Sequence, residues 1–267
     1  MTISPPNLSL AGHRALVQGA SRGIGRATAE SLASLGARLT LVARSEEKLL
    51  EVAATLPVPP EGPHEVLPLD LDDTETVRGA LAAHVARTGP HTIVVNNSGG
   101  PPAGPVFDAA PEEFIAAMTR HLIANQVVAQ ATVPGMKEAG YGRIVNVIST
   151  SVYEPIPNLG VSNATRGAVA SWAKTLSKEL GPFGITVNSV LPGFTDTERL
   201  GALIEGRATK GGKTEEEVAE GMRAMIPLGR FAKAREVGDA IAFLVSPAGG
   251  YINGVCLAVD GGRLNGI

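Results

Sequence analysis

Gly19-Ala20-Ser21-Arg22-Gly23-Ile24-Gly25 stands between the apolar run Ala15-Leu16-Val17 and a segment in which Ile24, Thr28, Ser31, Leu32 and Leu35 share one helical face. Glycines between a strand and a helix let the backbone turn tightly and come close to a ligand. The first N–H groups of the helix that follows lack intrahelical partners and carry its partial positive charge. The combination makes a cradle for a pyrophosphate. A second apolar run, Leu39-Thr40-Leu41-Val42, comes next, so the turn belongs to a strand–helix–strand unit.

The same rhythm continues outward. Val66-Leu67-Pro68-Leu69, Thr92-Ile93-Val94-Val95, Arg143 to Ile148, Ile185-Thr186-Val187 and Val255 to Val259 alternate with longer segments of helical period. Near-continuous apolar strands separated by helices indicate a parallel sheet covered on both faces. The predicted fold is a Rossmann-type, doubly wound α/β unit over residues 1–267 with a seven-stranded, mostly parallel sheet. Pro68 lacks a ladder donor, so its strand is predicted at an edge, as the third strand is in the order 3-2-1-4-5-6. Residues 195–225 break the rhythm, being charged and Gly-rich with helical pieces and no strand. They read either as a lid over the site or as a solvated helix pair.

Composition narrows the function classes. Of 267 residues 44% are hydrophobic and 18% charged, which fits a globular domain. A net charge of −3 with no basic stripe argues against nucleic acid. No apolar run approaches the ~20 residues that span a bilayer, and Met1 to Ala11, with Pro5 and Pro6, does not read as a signal peptide. Cys256, the single cysteine, reads as a small buried hydrophobe and fits a reducing, cytoplasmic compartment. The scattered histidines have no zinc-like spacing, so no metal is expected.

The end of the second strand selects the cofactor. A carboxylate there accepts from the ribose 2′-hydroxyl of NAD, whereas a 2′-phosphate favours a cation. This chain has Ala43-Arg44, and Arg44 with Arg22 can clamp a phosphate in a guanidinium fork. NADP(H) is therefore predicted over NAD(H). Asp70-Leu71 ends the third strand, where a carboxylate can meet the adenine amino group; Asp72 and Asp73 read as helix N-caps. In Asn96-Asn97-Ser98-Gly99-Gly100 the glycines let the chain pass an adenosine ribose, and Asn96 reads as a tie between strands.

These residues resemble the short-chain dehydrogenase/reductase family, and its 3-ketoacyl-carrier-protein-reductase-like branch most closely. The resemblance rests on Gly19…Gly23-Ile24-Gly25, Asn96-Asn97-Ser98-Gly99, Gly142 to Asn146, Asn188 to Gly193, and Asn253-Gly254…Val259-Asp260-Gly261-Gly262. It implies that Pro192-Gly193 flanks a nicotinamide and that Thr195 and Thr197 reach its carboxamide and the pyrophosphate. It also implies a homo-oligomer, dimer or tetramer, packed through helices near 110–135 and 160–180 and the C-terminal strand. Gln18 departs from the threonine usual at its position.

The family's reaction uses a serine, a tyrosine, a lysine four residues later and an asparagine from the preceding helix. Ser149 matches the serine. Family spacing puts Ser162 at the tyrosine, Arg166 at the lysine and His121 at the asparagine, so three of the four groups are replaced. An aliphatic hydroxyl is a far weaker acid than a phenol, which titrates near pH ~10. Arg166 can still anchor the ribose. Tyr153 could supply a phenol or form an aromatic pocket wall. His121 could pass protons near neutrality or be a packed helix histidine. Water held by Ser149 and Ser162 is the third donor. The leading expectation is an oxidoreductase acting on a small carbonyl or alcohol. A nucleotide-binding sensor or partner subunit without turnover, and a lyase or isomerase on the same scaffold, are the alternatives.

Overall fold

The computed structural model describes residues 7–266, so Pro5, Pro6 and the start of the N-terminal segment lie outside the described residues. In chain order the elements are β1 (Arg14–Gln18), α1 (Gly23–Ser34), β2 (Arg38–Ala43), α2 (Glu46–Thr55), β3 (Glu65–Pro68), α3 (Thr74–Thr88), β4 (Ile93–Asn96), α4 (Pro111–Met118), α5 (Ala124–Ala139) and β5 (Gly142–Val147). There follow α6 (Gly160–Leu180), β6 (Ile185–Pro192), β7 (Thr195–Asp196), α7 (Glu198–Gly211), α8 (Glu215–Arg223), β8 (Ala232–Lys233), α9 (Ala234–Val245) and β9 (Cys256–Val259).

Seven strands form one sheet in the order β3-β2-β1-β4-β5-β6-β9. Every pairing in it is parallel. The architecture is the doubly wound one read from the sequence. Strand β5 is buried at all six residues, including the two polar ones, Arg143 and Asn146, whose side chains find partners within the fold. One core cluster joins α1 and α9 to the sheet through Leu32, Val237 and Ile241. Another joins α3, α5 and α6 to the opposite face through Leu81, Val128 and Ala173. Strand β3 is the edge, and Pro68 pairs only with Ala43, so its missing N–H breaks no second ladder.

Three expectations change in detail. Strand β6 runs five residues past Val187, to Pro192. Asn188 is internally satisfied there, since its Nδ2 donates to the Ile252 carbonyl (2.8 Å) and its Oδ1 accepts from Val255 N (3.1 Å). Residues 195–225 do contain a strand, the two-residue β7, which pairs with β8. Cys256 is half-buried rather than core, because β9 is an edge strand.

A polar cluster lies beneath the sheet. Thr40 Oγ1 is 3.0 Å from His84 Nε2 and 2.8 Å from His91 Nε2. Burial, with His84 and Arg14 nearby, pushes the His91 imidazole down to about 3. Burial lowers His84 as well, against the pull of Glu65. An unfolded chain, whose histidines titrate near ~6.5, then binds more protons than the native one below that pH. The His91 contribution is complete above pH ~6.5 and is lost on acidification toward 3, by up to ~1.4 kcal/mol per pH unit, and His84 acts in the same direction. Melting temperature is therefore expected to drop steadily from pH 7 to pH 5, with a shallower drop in His91→Asn. Superimposable pH profiles for the two proteins would refute this role for His91.

Candidate active site

The sheet order reverses between β1 and β4, and ligands of doubly wound sheets bind at the carboxyl ends of strands beside such a reversal. Gly19 and Gly23 have φ of 61° and 55°, which a Cβ disfavours. A Cβ on Gly25 would lie 2.1 Å from the Gly19 carbonyl oxygen, and one on Gly19 would lie 2.5 Å from Asn97 Nδ2. The turn is thus closed on itself and on the end of β4. Helix α1 starts with no side-chain cap and no acidic residue in its first turn. By contrast Ser45, Asp73 and Thr214 cap α2, α3 and α8. The leading N–H groups of α1 are left to a ligand, and Gly23 and Ile24 line the crevice. These features fit a pyrophosphate.

Ser21, Arg44, Asp70 and Leu71 line the adjoining recess, with Asn97, Ser98 and Gly99 on its other side. A Cβ on Gly99 would meet nothing, so open space lies before it. Arg44 is exposed and makes no ion pair among the described residues. Lys48 lines the same recess and was not singled out in the sequence. Its signal was there: it lies four residues past Arg44, on the turn that Ser45 caps. Arg22 lines both recesses, and its Nη1 pairs across the surface with Glu198 Oε2 at 2.5 Å, at the start of α7. The cations free for a 2′-phosphate are Arg44 and Lys48. Asp73 caps α3, but Asp72 instead pairs with Arg120, whose Nε donates at 2.8 Å. Asn96 Nδ2 donates to Asn146 Oδ1 (2.8 Å) and so ties β4 to β5.

At the other end, Ser149, Ser162, Arg166, Pro192, Gly193, Thr195 and Thr197 line one cavity of about 220 Å³. Ser149 follows β5, while Ser162 and Arg166 stand one turn apart on α6. Ser149 Oγ accepts from Ser151 N (3.1 Å), which leaves its proton free to donate. Arg166 is buried; its Nη1 donates to the Val147 carbonyl (3.0 Å) and its Nε has no partner. Burial and the Arg199 charge lower its pKa to about 10, so it stays cationic at neutral pH. Thr195 Oγ1 donates to the Gly193 carbonyl (3.2 Å), and Thr197 Oγ1 to that of Thr195 (3.3 Å).

Two candidates are not brought into the cavity. Tyr153 ends a 3-10 turn over Thr150–Val152 that swings it toward β9. Its side chain is largely exposed and its hydroxyl donates to the Cys256 carbonyl (3.0 Å). His121 lies in a π turn, Thr119–Ile123, between α4 and α5. Its Nδ1 is 2.6 Å from Ser98 Oγ, its Nε2 has no partner, and it touches the cavity only through Ser98. Burial foremost, then the charges of Arg166, Arg120 and Arg199, pushes it down to about 2. The near-neutral titration expected of a free imidazole is lost, and His121 is uncharged at neutral pH.

Arg199 and Arg263 line the cavity although the sequence reading passed over both. Arg263 Nη1 donates to Thr150 Oγ1 (3.2 Å), and the guanidinium sits 4.7 Å above the Phe194 ring. Chain reversal at Gly261 and Gly262 returns it to the site, and no spacing announces that. Among the described residues no group of three His, Cys, Asp or Glu could hold a metal, and no helix is long and apolar enough to cross a membrane.

Comparison with known proteins agrees with this geometry. The protein-family profile described as Enoyl-(Acyl carrier protein) reductase matches residues 19–263. The chain is 34% identical to the 3-oxoacyl-[acyl-carrier-protein] reductase of Vibrio cholerae, over 96% of this chain and 98% of that one. It is 35% identical to the L-xylulose reductase of Cavia porcellus, over 97% and 99% of the two chains. The L-sorbose reductase of Gluconobacter frateurii, solved with NADPH and L-sorbose, superposes with a TM-score of 0.90 at 28% identity, covering 98% of this chain and 100% of that one. With its parallel sheet, glycine turn and strand-end motifs, the chain belongs to the short-chain dehydrogenase/reductase family, in the branch of the ketoacyl reductases.

Proposed function

We propose that the protein is an NADP(H)-dependent oxidoreductase acting on a small carbonyl or alcohol, with Ser162 and Arg166 where relatives carry tyrosine and lysine. The observation that supports it is the single cavity shared by Ser149, Ser162, Arg166, Pro192-Gly193, Thr195 and Thr197, continuous with the glycine turn. In the reductive direction, a carbonyl compound, NADPH and a proton give the alcohol and NADP⁺. The cofactor supplies the hydride. The NADPH bound in the Gluconobacter frateurii reductase supports this choice of cofactor.

The chain's own residues divide the work. The α1 N-terminus and Gly19–Gly25 turn hold the pyrophosphate, with Ser21 and Thr197 beside it. Arg44 and Lys48 hold the 2′-phosphate. Asp70 and Leu71 face the adenine, and Asn97, Ser98 and Gly99 face its ribose. Pro192, Gly193 and Thr195 position the nicotinamide, and Arg166 donates to the ribose hydroxyls. Ser149 and Ser162 donate hydrogen bonds to the substrate oxygen, and the fixed charge of Arg166 favours negative charge developing there. Neither serine nor a bound water is acidic enough to be the net proton source, so the proton comes from bulk solvent, relayed through water held between the two serines. The neutral His121 positions Ser98.

Helices α7 and α8 act as a lid. They share a small apolar cluster of their own, including Leu200, Ile204 and Met222, apart from the two clusters on the main sheet. Assembly of copies through α4 and β9 is supported by Ile115, 66% exposed, and Leu257, 37% exposed, since an apolar edge strand calls for cover.

Fluorescence titration is expected to show NADPH binding tighter than NADH. The double variant Arg44→Ala/Lys48→Ala should weaken NADPH roughly 10- to 100-fold and NADH little, as befits losing charge-assisted bonds to one phosphate. Equal weakening of both cofactors would remove these residues from the 2′-phosphate site. A panel of ketones, ketoses and oxo acids incubated with NADPH should contain a substrate converted stoichiometrically to alcohol. On that substrate Ser149→Ala should lower kcat about 100-fold, the scale of one oxyanion donor, and Tyr153→Phe should leave it unchanged. A large loss in Tyr153→Phe would put a phenol back in the mechanism.

A further inference from the structure

The reactive cavity carries more positive charge than hydride transfer requires. Its wall includes three guanidinium groups, Arg166, Arg199 and Arg263, and no carboxylate. The opening beside it, past Pro101 to Pro105, adds Arg207 and Lys210, again without an Asp or Glu. The chain as a whole is acidic at −3, so this concentration is local.

Arg263 is the telling member. It lines the reactive cavity and neither of the two recesses assigned to adenosine and pyrophosphate. It is held by neutral partners, the Thr150 hydroxyl and the Phe194 ring. The carboxylates nearest in the fold are engaged elsewhere. Glu154 accepts from Asn265 N (2.7 Å), and Asp260 accepts from Gly262 N (3.0 Å) and Leu264 N (2.8 Å). These bonds fix the C-terminal turn that presents Arg263 while leaving its charge unpaired. Arg199 is likewise without a hydrogen bond or ion pair among the described residues. A Cβ on Gly100 would come within 2.5 Å of its nitrogens, so its guanidinium overhangs that loop.

Guanidinium groups gathered without counter-ions are costly unless a ligand completes them. The cofactor phosphates have their own sites at α1 and at Arg44 and Lys48. The oxidised nicotinamide ring is itself cationic. Arg199 also lines the pyrophosphate recess, where the cofactor balances its charge, whereas Arg263 lines neither cofactor recess and its counter-charge is left to the substrate.

We propose that Arg263, together with Arg199, binds an anionic substituent of the substrate, so that the preferred substrates are carbonyl compounds carrying a carboxylate or phosphate close to the reducible carbon. This rests on reading the cavity as the site of carbonyl reduction. For an oxo acid the balance is R–CO–COO⁻ plus NADPH plus H⁺ giving R–CH(OH)–COO⁻ plus NADP⁺. The hydride carries the electron pair to the carbonyl carbon, and the proton goes to oxygen. The carboxylate is unchanged and bound by the guanidinium fork.

The test uses the full chain with NADPH and matched pairs: 2- and 3-oxo acids against their methyl esters, and ketose phosphates against free ketoses. The two series tell carboxylate from phosphate. In parallel, oxalate is titrated calorimetrically into the protein–NADPH complex. The anionic member of a pair is expected to win by at least about tenfold in kcat/KM. Arg263→Met should raise its KM roughly 10- to 100-fold with melting temperature and NADPH affinity unchanged, and Arg263→Lys should recover part of the loss.

Neutral carbonyls reduced as well as the anions would overturn the proposal and leave the reductase reading standing. An acid preference that survives Arg263→Met would overturn the residue assignment. Arg199→Met weakening NADPH instead of raising KM would take Arg199 out of the site. Saturable oxalate binding lost in Arg263→Met, with no pair turned over, would uphold the anion site and sink the reductase reading. Neither turnover nor binding would sink both.

Discussion

The approach of Gly25 to the Gly19 carbonyl fixes where α1 begins, and with it where an anion can be held. A side chain at either position would collide, with backbone at Gly25 and with Asn97 at Gly19. Because the turn closes this far, α1 starts uncapped at the reversal of strand order, and its N–H groups give the crevice a fixed positive pole. The rest of the site is arranged around that point. Strands β2 and β3 offer the adenosine side, and β5 and β6 offer the reactive side.

Binding and chemistry are separable here. The binding half keeps glycine turn, helix terminus and free cations. In the function we propose, the reactive half does without the usual proton donor, with Ser162 in the place of a phenol and Arg166, a permanent, planar cation, in the place of an amine. His121 cannot fill the gap, because burial among three arginine charges holds it neutral. Tyr153 cannot, because its hydroxyl is turned to Cys256. What remains is a cavity rich in donors and positive charge and poor in acids. Such a cavity favours oxyanions and leaves protonation to water.

The sequence made the sheet legible because its inner strands are buried on both faces, and burial of that kind leaves a mostly apolar run that a solvated loop does not imitate. Pro68 was legible for a different reason: a missing donor has one tolerable place in a sheet, the edge. The cradle could be read because glycine spacing reports backbone geometry directly. Tertiary electrostatics could not be read. The pKa of His121 depends on Arg166 and Arg199, which are 45 and 78 positions further along the chain. The Arg22–Glu198 pair was not legible because Glu198 comes from a distant helix. Arg263 was invisible because a double-glycine reversal, not a periodic element, carries it back to the cavity. Asn188 shows the opposite error, where a polar residue inside a strand looked like the strand's end.

In the function we propose, the crevice holds NADP(H) with its reactive end among Ser149, Ser162 and Arg166. A crystal structure of the NADPH complex tests it most directly. The 2′-phosphate is expected beside Arg44 and Lys48, the pyrophosphate on the α1 N-terminus, and nicotinamide C4 facing the space between Ser149 and Ser162. A nucleotide bound elsewhere, or a nicotinamide directed away from both serines, would contradict it.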